Sequence, residues 1–148
     1  MTSNSLQKFI AVIDDDVELV ALFTEALKQL AGYSVFGFTD PEIALKHISA
    51  KKDNYVLILS DLKMPRVTGI ELIREAKKLK PALATVLMSA FDPNSDPKFV
   101  LSVKEQVIDA FLQKPVSLAR LVAEIKNELA KVEALNLRDN NRSSESKG

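Results

Sequence analysis

The chain has 148 residues, 47% hydrophobic and 27% charged, a length that suits one domain hiding roughly 70% of its extended surface on folding. Twenty basic residues against twenty acidic ones give a formal net charge of zero, so whole-chain electrostatics supply no pull toward nucleic acid or an anionic membrane. With no cysteine and one histidine, His47, the chain cannot build disulfides, thiolate metal sites, imidazole clusters or a Ser-His-Asp triad, and its chemistry falls to carboxylates, hydroxyls and lysines.

Lys8 to Ile13 (KFIAVI) is a nearly continuous apolar run, the form of a strand covered on both faces. Val17, Val20, Ala21, Leu27 and Leu30 then recur at helical spacing, with Gly32 as the expected C-cap. Tyr33 to Phe38 reads as a second strand. Asp40-Pro41 reads as an N-cap and first-turn proline opening a helix to about Ala50, which carries His47 with no chemical role expected. Tyr55 to Ser60 is the third strand and the most apolar. Thr68 to Glu71 fits a capping box for a helix running to Pro81. Leu83 to Met88 is a fourth strand, Asp96-Pro97 opens a fourth helix, and Ile108 to Leu112 is a fifth strand.

Ser117 caps a last helix whose stripe of Leu118, Leu121, Val122, Ile125, Leu129 and Val132 continues to Leu135. A helix of that length spans about 28 Å against ~17–20 Å for a strand, so its last turn or two are expected to overhang the core and expose Val132 and Leu135. Residues 1–7 read as a flexible amino terminus, 8–135 as the domain and 136–148 as a disordered polar tail. Five strands alternating with five helices imply a doubly wound α/β fold, a parallel sheet with helices on both faces. No apolar run approaches the ~20 residues of a membrane span, and the first residues lack the blocks of a signal peptide. A cytoplasmic protein is expected.

Ligands of such sheets sit beyond the carboxyl ends of the strands. There the sequence offers Asp14-Asp15-Asp16 after the first strand, Ser60-Asp61 after the third, Ser89 after the fourth and Lys114-Pro115 after the fifth. Taken singly, the acidic triplet is an ordinary helix N-cap and the others are ordinary loop residues, with Lys114-Pro115 a candidate cis peptide. Their joint position at one end of successive strands points to a site. Asp14, Asp15 and Asp61 packed together repel unless a cation offsets them, and so few carboxylates favour magnesium, with several waters retained, over calcium.

VIDDD at 12–16, SDLKMPRVTG at 60–69, MSA at 88–90 and FLQKP at 111–115 resemble the receiver domain of two-component response regulators, over about residues 8 to 130. The resemblance implies the flavodoxin-like strand order 2-1-3-4-5, with Asp61 as phosphoryl acceptor. It implies Mg2+ held by Asp14, Asp15, Asp61 and the backbone carbonyl of Lys63, with Asp15 touching the ion directly and Asp14 mostly through water. Ser89 matches the switch hydroxyl, Lys114 the lysine that pairs with the phosphoryl group, and Phe111 the aromatic that changes rotamer on activation. Phosphoryl transfer needs an in-line nucleophile and neutralised equatorial oxygens, which this set could supply.

A sensor histidine kinase or histidine phosphotransfer protein is the implied phosphoryl partner. With only a short tail after the last helix, output by binding another protein or by relay is expected, without nucleic acid or membrane contact. The form expected is a monomer or a phosphorylation-dependent dimer. Phe111 stands in place of a tyrosine, Val107 where many relatives have glycine, and FDPNSDP at 91–97 lengthens the Ser89–Lys114 interval. Lys63 and Phe91 occupy positions that tune phosphoryl lifetime in the family. Two other readings compete. A haloacid-dehalogenase-like phosphatase would use Asp14 as nucleophile and need Thr or Val where Glu18 stands, and a pseudo-receiver would keep the fold without the chemistry.

Overall fold

The apolar runs of the sequence become the strands of one parallel sheet. The computed structural model describes residues 6–146, with side chains as far as residue 139. Among these, β1 (Lys8–Ile13), β2 (Tyr33–Phe38), β3 (Tyr55–Asp61), β4 (Ala84–Ser89) and β5 (Ala110–Gln113) are ordered β2-β1-β3-β4-β5. All neighbouring pairs run parallel. Helices α1 (Val17–Leu27), α2 (Pro41–Ala50), α3 (Gly69–Leu79) and α4 (Pro97–Lys104) connect successive strands, and α5 (Leu118–Ser146) follows the last. The doubly wound fold and the flavodoxin-like order 2-1-3-4-5 are those expected.

Period-two alternation inside each apolar run builds two cores. Phe9, Ala11, Ile13 and Ile58 face α2 and α3, where Ile48, Ile70 and Ile73 meet them. Ile10, Val12, Leu57, Leu59 and Val86 face α1 and α5, against Phe23, Leu27, Leu121, Ile125 and Leu129. His47 belongs to the first layer, its Nδ1 2.6 Å from the Tyr55 hydroxyl and its ring among Phe9, Phe36 and Phe38.

Polar residues just past the strand ends start the helices as the sequence predicts. Asp16 accepts the N–H groups of Glu18 and Leu19, Asp40 that of Glu42, Thr68 that of Glu71, Asp96 that of Lys98 and Ser117 that of Arg120, at 2.9 to 3.2 Å. Helix ends are less legible. α1 stops at Leu27, and Gly32, with φ of 90°, turns the chain into β2 instead of capping the helix.

The larger difference is α5, which runs to Ser146 and not to Leu135. The expected disordered tail is therefore helical over 136–146, while residues 1–5 of the flexible terminus and 147–148 of the tail lie outside the described residues. No glycine or proline interrupts 118–146. Once the docked half has met the cost of nucleation, propagation through polar residues is cheap. The apolar stripe ends with Leu135, which is 56% exposed as expected, with Leu137 63% exposed, whereas Val132 is not exposed but packs half-buried against the second core. No helix among the described residues is long and apolar enough to cross a membrane.

Candidate functional site

The carboxyl ends of β1, β3, β4 and β5 bring Asp14, Asp61, Ser89 and Lys114 to one edge of the sheet. Asp14, Asp15 and Asp61 each offer a carboxylate oxygen, and these lie within 4.8 Å of one another. Asp14 is 1% exposed and Asp61 8%, whereas Asp15 faces solvent. The Lys114 ammonium reaches in from the loop after β5, 2.7 Å from Asp14 Oδ2 and 3.1 Å from Asp61 Oδ1. Its backbone N–H donates to the Ser89 carbonyl at 2.8 Å, and the Lys114–Pro115 peptide that follows, whose isomer the sequence left open, is cis. Asp16 takes the N-cap, so the acidic triplet both starts α1 and furnishes the cluster.

Gly69 permits the approach of α3. A Cβ there would collide with the Asp61 carbonyl and with Leu87. Ser89 is 1% exposed, and its Oγ accepts the Phe91 N–H at 3.0 Å. Leu87 pairs with Phe111 and Ser89 with Gln113, so Ser89 and Phe111 sit on adjacent strands. Phe111 is half-buried, its ring edge-on to Phe99 of α4 with centroids 5.4 Å apart. The Lys63 ammonium stands 4.1 Å over the Phe91 ring. No spacing in the sequence signals that contact, because it joins two separate loops.

The family described as the response regulator receiver domain matches residues 10–126. The chain belongs to this family. It is similar to the Response regulator receiver protein CpdR of Brucella abortus, with 31% identity over 127 residues covering 82% of this chain and 97% of the relative. It is also similar to the phosphoglycerate transport system transcriptional regulatory protein PgtA of Salmonella typhimurium, with 36% identity over 120 residues and 81% of this chain, but spans only 28% of that relative's length. Among solved structures, the CheY-like receiver domain protein from Methanospirillum hungatei superposes with a TM-score of 0.77 at 29% identity, over 88% of this chain and 98% of that one. Receiver domains are switches of phosphorelay signalling and work with histidine kinases or phosphotransfer proteins.

The receiver's acidic edge is electrostatically frustrated. Burial raises the Asp61 carboxyl above its usual range, and the Asp14 charge adds to this while Lys114 opposes it. Burial pulls the Lys114 ammonium down, but its bond to Asp14 and the two facing charges outweigh that, so the lysine stays charged well into alkaline solution. Among the described residues Lys114 alone pairs with Asp14 and Asp61, which leaves the cluster short of positive charge. Oxygen ligands this close, one of them exposed to solvent, suit a hard divalent cation that keeps waters.

Proposed function

We propose that the chain takes a phosphoryl group onto Asp61 from a phosphohistidine and thereby changes the partners it binds. The observation that carries this reading is the convergence of the Asp14, Asp15 and Asp61 carboxylates with Lys114 across two of them. An Asp61 oxygen attacks phosphorus, the O–P bond forms, the N–P bond breaks, and the leaving imidazole takes up a proton. Lys114 exchanges part of its contact with Asp14 for a phosphoryl oxygen as negative charge gathers there. Asp14, Asp15, Asp61 and the Lys63 carbonyl would hold Mg2+, which when bound neutralises the phosphoryl oxygens.

The buried Ser89 hydroxyl would turn toward the phosphoryl group, and Phe111, two residue pairs away on β5, would move into the space released. The donor would dock beside Lys114. There Leu19, Leu22, Phe23, Ala90 and Val116 line an apolar hollow of about 360 Å³ between α1 and the loop that follows β5, a shape suited to a helix of a kinase or phosphotransfer protein. The surface of α4, β5 and α5 would carry the output, to a protein partner or a second copy.

Acetyl phosphate with Mg2+, followed by intact-mass measurement, tests the reading. The wild-type chain should gain one phosphoryl group, and Asp61→Asn none while keeping its circular dichroism. A folded wild-type chain that takes no label would instead be a pseudo-receiver. Label persisting on Asp61→Asn at wild-type stoichiometry would end the assignment. Magnesium at a hundredfold excess over its dissociation constant should stabilise the wild type by about 2.7 kcal/mol, a gain that Asp15→Ala mostly loses.

A further inference from the structure

Arg66 has a backbone φ of 71°, in the left-handed region where a side chain is strained. The Val67 N–H donates to the Pro65 carbonyl at 2.8 Å, so Arg66 is the central residue of a γ-turn of the rare, positive-φ kind. Glycine would adopt this backbone without strain, and a side chain persists there only when its surroundings over-determine it. The Arg66 side chain supplies such a constraint. Its Nη2 lies 3.3 Å from Asp40 Oδ2. Asp40 is fixed in turn, because its Oδ1 accepts the Glu42 N–H at 2.9 Å and caps α2. The Glu42 N–H and, against some burial, the Arg66 charge hold the Asp40 carboxyl below its usual range, so it is ionised at neutral pH.

The strained turn closes the loop that joins Asp61 to α3. The base of that loop is pinned by the Leu62 N–H on the Met88 carbonyl at 2.8 Å and the Gly69 N–H on the Leu62 carbonyl at 2.9 Å. Its outer part is tied to the start of α2 by the Arg66–Asp40 ion pair, while Met64 and Val67 pack into the core beneath. Between Lys63 and Arg66 stand Met64 and Pro65, both with restricted dihedrals, so a rotation of the turn is transmitted to the Lys63–Met64 peptide. We propose that Arg66 is a positioning residue for metal binding: its ion pair with Asp40 holds the turn so that the Lys63 carbonyl is directed at the Asp14, Asp15 and Asp61 cluster. This rests on the magnesium reading given above.

Titration calorimetry of MgCl2 into the whole chain tests it, with wild type, Arg66→Gln, Asp40→Asn, the double variant, Arg66→Gly and Asp15→Ala. Asparagine still caps α2, so Asp40→Asn removes the ion pair and keeps the helix start. Arg66→Gln and Asp40→Asn should each bind magnesium roughly two- to five-fold more weakly, the range of an exposed ion pair, and the double variant no more weakly than either. The sign is informative. Loss of the Arg66 charge alone would tighten cation binding, so weaker binding by Arg66→Gln requires a geometric cause. Arg66→Gly should melt no lower than wild type without metal yet still bind magnesium weakly, a split that a merely structural role would not produce. Arg66→Gln binding as tightly as wild type, or losses that add in the double variant, would overturn the positioning role. Wild type taking up no more magnesium than Asp15→Ala would instead overturn the metal site itself.

Discussion

Asp61 is held as a buried carboxyl at a cost to stability. Its carboxyl is raised by burial and by Asp14, so the native state binds that proton more tightly than the unfolded chain does. Stability is then lost as pH rises from the ordinary carboxylate value, about 3.9, through the raised native one. The native state bears the full cost at neutral pH, and at pH below both values the cost vanishes. Asp61→Asn keeps the shape and removes the charge. In metal-free buffer it should melt a few degrees above wild type at pH 7, with the gap closing as pH falls below 4. Coincident melting curves at pH 7 would mean that Lys114 already offsets the buried carboxylate. Lys114 has the opposite sign, since its raised native value gives stability that is complete at neutral pH and lost only in strongly alkaline solution.

At the scale of the element, the end of α4 holds a second left-handed side chain. The Val107 N–H donates to the Ser102 carbonyl at 2.9 Å and the Gln106 N–H to the Val103 carbonyl at 3.0 Å, the paired bonds of a Schellman cap, with Gln106 at φ of 61° in the place usually held by glycine. The sequence drew attention to Val107, one residue too late, because no periodicity marks a positive φ on glutamine. Helix starts were legible where helix ends were not. Asp16, Asp40, Thr68, Asp96 and Ser117 announce themselves chemically, two of them with a following proline, whereas α1 and α4 end without a glycine at the cap. Gln106→Gly should stabilise the chain. Relief of strain near ~1–2 kcal/mol exceeds the added unfolded-state entropy of glycine, ~0.5–1 kcal/mol, for a net gain of about 1 kcal/mol and a melting point a few degrees higher. Chemical denaturation showing no gain would place the strain elsewhere in the cap.

The whole molecule shows why strand-end chemistry was readable and long-range anchoring was not. A parallel sheet aligns all strand ends on one edge, so Asp14, Asp61, Ser89 and Lys114 could be gathered from sequence alone, whereas the contacts Arg66–Asp40 and Lys63–Phe91 join loops with no shared period. The same holds for α5. Composition read 136–148 as unstructured, yet Glu133 ties the helix back to the start of the sheet through the Tyr33 hydroxyl at 2.7 Å and Lys8 at 3.6 Å. Burial and then the Glu133 contact push the Tyr33 phenol up to about 12. Two truncations separate docked helix from overhang. Ending the chain after Asn136 removes the helical stretch 137–146, beyond the apolar stripe, so helical circular dichroism should fall while the melting temperature stays. Ending it after Lys131 also removes Val132, which is half-buried, and the exposed Glu133. The melting temperature should then drop, by about 1–2 kcal/mol of stability, and Tyr33 should titrate closer to an ordinary phenol. If the shorter chain melts with the full one and Tyr33 titrates unchanged, α5 is not anchored at Glu133; if the longer one keeps all its helical signal, the helix ends before residue 137.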